Sequence, residues 1–137
     1  MKKIIICLII AATTFSCSLP DDSSSADTQE LLPIENVDLP DEFTLGETYE
    51  ISVTYLRPTT CHAFNDIYYL KQGNERTIAV ISTVFNSNGS CSVLTNTELG
   101  ATFDFEALTE GSYIFKFWKG KDEAGEDIYL TVEVPVN

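Results

Sequence analysis

Few residues in this 137-residue chain could carry out chemistry: four cysteines, one histidine, and 21 acidic residues against 8 basic ones. His62 is the sole histidine. A catalytic triad or a zinc site built on it would need partners that its sequence neighbours do not supply. A solvent-facing or capping role is expected for it. No serine sits in the glycine-flanked turn of a hydrolase nucleophile. The run Lys119 to Asp127 carries four carboxylates that could gather calcium, but its spacing is not that of an EF-hand loop. An exposed hairpin turn is the expectation there. These residues imply no enzyme, no metal and no cofactor.

The elements that position everything else begin at the N-terminus. Lys2 and Lys3 precede an apolar run from Ile4 to Ala12, and small residues lead from there to Cys17. This is the grammar of an export signal. Nine or so apolar residues are too few for a membrane span, which takes about twenty. The stretch Thr13-Thr14-Phe15-Ser16-Cys17 resembles the cleavage box of bacterial lipoprotein precursors, those of the Bacteroidota in particular. The resemblance implies a signal peptide over residues 1–16 and a diacylglyceryl group on the Cys17 thiol. Two or more acyl chains suffice for stable anchoring. The partner of the N-terminus is then a membrane, reached through acyl chains on Cys17.

Residues 17–30 are rich in serine and acid and read as a flexible tether. The pair Asp21-Asp22 resembles the acidic signals that send such lipoproteins to the cell surface. The expected place is therefore the cell envelope, as an outer-membrane lipoprotein displayed outward, with a periplasm-facing orientation as the alternative. Net charge is −13, and no basic residue occurs between Lys3 and Arg57. A chain this acidic is a poor partner for nucleic acid, and anionic headgroups hold its tether off the membrane surface.

Residues 31–137 read as one domain. In an exported compartment Cys61 and Cys91 are expected to form a disulfide. Period-two alternation dominates: Tyr49, Ile51, Val53 and Tyr55 face one way, as do Phe103, Phe105 and Ala107. Gln72-Gly73-Asn74-Glu75 turns one strand into the next, whose run from Thr77 to Phe85 is apolar on both faces. Pro135 is expected to end the last strand. About seven short strands with turns between them imply an all-β fold, a single immunoglobulin-like antiparallel β-sandwich. Gly111 two residues before Tyr113 predicts a tyrosine corner, the phenol bonding back to the backbone just upstream.

Two surface features are candidates for binding. Pro58-Thr59-Thr60, followed by Cys61 and Phe64, resembles the loop that enters the peptidase cleft in chagasin-like inhibitors of papain-type cysteine peptidases, a family with an immunoglobulin-like fold. That family's loop reads Asn-Pro-Thr-Thr-Gly and then an aromatic residue. Here Arg57 stands for the asparagine, Cys61 for the glycine and Phe64 for the usual tryptophan. The resemblance implies a cysteine peptidase as partner, and a stiff structural turn explains the same residues. Trp118 alternates away from Tyr113, Phe115 and Phe117, which leaves it near the sandwich's end or on its outer face, beside the acidic hairpin, as a ligand contact or else packed under the segment after Phe85. The reading is a lipid-anchored, non-enzymatic binding module for a protein or glycan, with peptidase inhibition as the competing function.

Overall fold

The computed structural model describes residues 26–86 and 89–137. The stretch read as a signal peptide, Cys17 and most of the expected tether, through residue 25, lie outside the described residues, as does Asn88. In chain order the strands are β1 (Thr28–Leu32), β2 (Ile34–Asp38), β3 (Thr48–Leu56), β4 (His62–Gln72), β5 (Glu75–Val84), β6 (Glu98–Glu106), β7 (Gly111–Lys121) and β8 (Asp127–Val136). They form a β-sandwich of two sheets, one ordered β2-β3-β6 and one built from β1, β4, β5, β7 and β8.

The alternation in the sequence determines which side chains meet between the sheets. Ile51, Val53 and Tyr55 of β3 are buried, as are Phe105 of β6 and Ile78 and Val80 of β5. Burying each such aliphatic side chain stabilises the fold by about 1.5–3 kcal/mol. The tyrosine corner forms as its spacing predicts. Tyr113 Oη accepts the N–H of Leu108 and of Thr109, both at 3.0 Å, and the Thr109 hydroxyl at 2.9 Å. Gly111 at φ 102° makes the reversal a side chain would resist.

The described residues form eight strands rather than about seven, because the chain contributes two strands before the first clear period. β1 pairs with β5 and β2 with β3, and Pro33 between them moves the chain from one sheet to the other. Residues 28–30, which composition assigns to the tether, therefore belong to the domain. Pro135 lies inside β8, not at its end. Its missing N–H is tolerated on an edge strand, and its carbonyl accepts the N–H of Phe43 at 2.9 Å.

Strand order also departs from a wholly antiparallel sandwich at one seam. β5, not β4, lies beside β7, and Glu75–Ile78 runs parallel to Ile114–Phe117. β4 is thereby left at the edge of its sheet. β7 then leaves β5 beyond Phe117, and β1 takes its place along Val80–Val84. Gly120, at φ 106° beside the Pro33 ring, lies at the irregularity in the β7–β8 ladder, where a side chain would strain the backbone.

Candidate functional site

The Pro58-Thr59-Thr60 loop joins β3 to β4, and its polar groups are already engaged. The Thr59 hydroxyl accepts the Cys61 N–H at 3.2 Å. Thr60 donates its N–H to the Ser92 carbonyl, and Ser92 N–H donates to the Thr60 hydroxyl at 3.0 Å. Leu94 N–H reaches the Pro58 carbonyl at 2.9 Å, and Thr59 bridges Val93. Arg57 donates from Nε to the His62 carbonyl and from Nη2 to the Thr60 carbonyl. The Cys61–Cys91 disulfide closes the assembly. The segment before β6 thus lies along the loop and occupies its backbone.

His62 is neither solvent-facing nor a cap. It is 7 % exposed and lies between two partners: Thr59 Oγ1 stands 2.7 Å from Nδ1 and Glu30 Oε1 2.5 Å from Nε2. A carboxylate only accepts, so Nε2 donates to Glu30, and the Thr59 hydroxyl is the partner of the ring at Nδ1. This row of hydroxyl, imidazole and carboxylate has the order of a catalytic relay. Its hydroxyl, however, already accepts a backbone N–H, and it lines neither of the two cavities described below. The row works as a clasp that fastens β1 to the loop.

Trp118 lies on the outer face of the five-stranded sheet, as alternation implies. Register places Trp118 beside Tyr129, Lys116 beside Thr77, and Tyr68 beside Ala79. The small side chains of Thr77 and Ala79 form the floor of a groove of about 270 Å³, walled by Tyr68 and Leu70 on one side and Trp118 and Tyr129 on the other. Trp118 Nε1 donates to Asp127 Oδ1 at 2.9 Å, and Lys121 Nζ holds the same oxygen at 2.8 Å. These two hydrogen bonds, the lysine's first, hold the Asp127 carboxyl below its usual range, and the same contact raises Lys121. Lys116 Nζ stands 4.9 Å from the centre of the Tyr129 ring. The Pro58-Thr59-Thr60 loop lines no part of this groove, so the two sequence candidates do not form one surface.

A third place was not visible from sequence motifs. Between the two sheets, at the free edges of β4 and β6, is a cavity of about 400 Å³ walled by Ile67, Tyr69, Phe103, Phe105 and Tyr113. Arg76 lines it and is only 5 % exposed. Its guanidinium stands 4.9 Å from the Tyr113 ring centre, and Nη1 donates to the carbonyls of Gly73 and Glu75. Burial raises the Tyr69 phenol, and the neighbouring guanidinium opposes that rise. For Tyr113 burial also acts upward, but the hydrogen bonds from Thr109 and Leu108, with Arg76 nearby, leave it below its usual value. One sequence signal did exist: Arg76 occupies the same face as Ile78, Val80 and Ser82, the inward set of β5.

In the acidic hairpin, Asp122 Oδ1 accepts the N–H groups of Ala124 and Glu126, which makes it a turn residue. Among the described residues no group of three or more histidine, cysteine, aspartate or glutamate side chains is placed to hold a metal ion. No family model, curated protein or solved structure matches this chain.

Proposed function

We propose that this chain is a lipid-anchored, non-enzymatic binding module of the cell envelope, with membrane attachment through acyl chains on Cys17 and display at the cell surface. The observation that carries the binding role is the uncovered aromatic groove around Trp118. We assign a glycan to it in preference to a protein. A sugar ring offers apolar C–H faces bordered by hydroxyls, and the groove offers ring faces bordered by polar groups on Gln72, Thr77, Lys116 and Asp127. The competing reading, chagasin-like inhibition through Pro58-Thr59-Thr60, is disfavoured because that loop's hydrogen-bonding groups are already engaged by the segment around Ser92.

Trp118 is the sole tryptophan of the chain, so its emission reports directly on the groove. Titrating the exported full chain, purified with its disulfide oxidised, with soluble laminarin, xylan and mannan should give a saturable change in emission with at least one of them. Followed by calorimetry, Trp118→Ala should weaken that binding at least about tenfold, roughly 1.4 kcal/mol. Unchanged emission with all three polysaccharides, or full affinity in the variant, would sink the glycan reading. Papain assayed against the same preparation should keep its full activity at micromolar protein. Tight inhibition that disappears in Thr59→Ala/Thr60→Ala would move the function to the loop.

A further inference from the structure

The geometry points to a second binding site, independent of the groove: the cavity between the sheets takes a small aromatic monocarboxylic acid, with Arg76 anchoring the carboxylate. A buried cation normally has a counterion, because desolvating it alone is costly. Arg76 has none. Among the described residues the carboxylates paired with basic side chains are Glu30 with His62 and Asp127 with Lys121, and neither involves it. Its contacts with the Tyr113 ring, and at 6.0 Å with the Phe105 ring, supply attraction but no acceptor.

The pattern of used and unused donors names the chemistry. Nη1 is taken by two carbonyls, while Nε is buried without any acceptor. The Tyr69 phenol also hydrogen-bonds to the guanidinium, and what a stronger acceptor could take over is the Nε–Nη2 edge. A carboxylate meets that edge with two parallel hydrogen bonds, the strongest arrangement a guanidinium makes. The walls choose the rest of the ligand. Phe103, Phe105, Tyr69 and Tyr113 offer ring faces and edges to a flat apolar body. About 400 Å³ lies within the range of small-ligand sites and has room for one ring and a short acidic arm. Asp104 and Glu106 also line the cavity, which disfavours a second negative charge on the ligand.

Nε has almost no accessible surface, so a carboxylate pairs with it only after the side chains around it shift. Tyr69 is suited to that movement: it is 41 % exposed, stands on the free edge of β4, and meets Phe103 edge-on at 5.8 Å between centres. Its phenol neighbours the guanidinium that the ligand would take over.

The test compares an acid with its neutral isostere. The exported full chain with its disulfide intact is titrated by calorimetry with phenylacetate and indole-3-acetate, and in parallel with phenylacetamide. An acid should bind at least about tenfold more tightly than the amide, because only the acid supplies the charged acceptor. Arg76→Met should abolish the preference, and Trp118→Ala should leave it intact. Equal affinity for acid and amide, or no heat from either acid at millimolar concentration, would overturn the proposal. Should Arg76→Met fail to fold, Arg76→Lys substitutes: it keeps the charge but loses the two-donor edge, so the acid should lose most of its advantage over the amide, and an unchanged advantage would count against the site.

Discussion

Replacing Cys61 and Cys91 together by alanine is expected to lower the free energy of unfolding by about 3–4 kcal/mol. The two cysteines are 30 positions apart, and in the chain-entropy account a bridge across a loop of that length contributes roughly this much by restricting the unfolded chain. The native state should loosen locally as well. Beside the bridge, the segment between β5 and β6 is held by a few backbone contacts, among them Thr60 to Ser92, Pro58 to Leu94 and Arg57 to Thr97. Domains of this size are stable by only about 5–15 kcal/mol, so the loss is a large share of the total. Guanidinium unfolding with and without reductant measures it. A midpoint indifferent to reductant would show that the bridge constrains nothing the fold does not already hold.

Phe43→Ala should cost about 3–5 kcal/mol, the range for removing a fully buried aromatic ring. Phe43 precedes β3 in the stretch after β2, yet it is 0 % exposed. Its ring lies 4.8 Å from Tyr49, 4.9 Å from Phe105 and 5.9 Å from Phe115, centre to centre. Its backbone is tied to the end of β8 by two hydrogen bonds, to the Pro135 carbonyl and from the Asn137 N–H. The side chain cannot leave without opening a cavity where both sheets meet. Urea unfolding of Phe43→Ala and Phe43→Leu should rank them wild type, leucine, alanine. A loss below about 1.5 kcal/mol for alanine would mean that the neighbouring rings close the gap, which the partial relaxation of cores argues against.

Phe43 also shows where reading the sequence stopped short. Leu45 is its one apolar neighbour at period two, too short a pattern to mark it as core; what buries it is the pairing of a distant strand end against its backbone. The same holds for β1 and β2. Each is a five-residue strand of largely exposed side chains, held by ladder bonds, β1 to the distant β5 and β2 to β3. By contrast, the outward placement of Trp118 followed from alternation along a single strand. His62 was legible as chemistry but not as geometry. Its carboxylate partner, Glu30, is 32 positions away and arrives only because β1 and β4 flank the same end of β5.

By itself the sequence determined the all-β character, the β4–β5 and β7–β8 hairpins, the inward faces of β3, β6 and β7, the tyrosine corner and the disulfide. Each of these rests on residues close together in the chain, or on a pair left by elimination, and short-range stereochemistry specifies them. Only the tertiary structure decided that β5 rather than β4 lies beside β7, that Pro33 moves the chain between sheets, and that Arg76 sits buried in a cavity without a counterion. Those features depend on which strand edges meet. That choice comes from many weak contacts between distant segments acting together, and no window of neighbouring residues contains it.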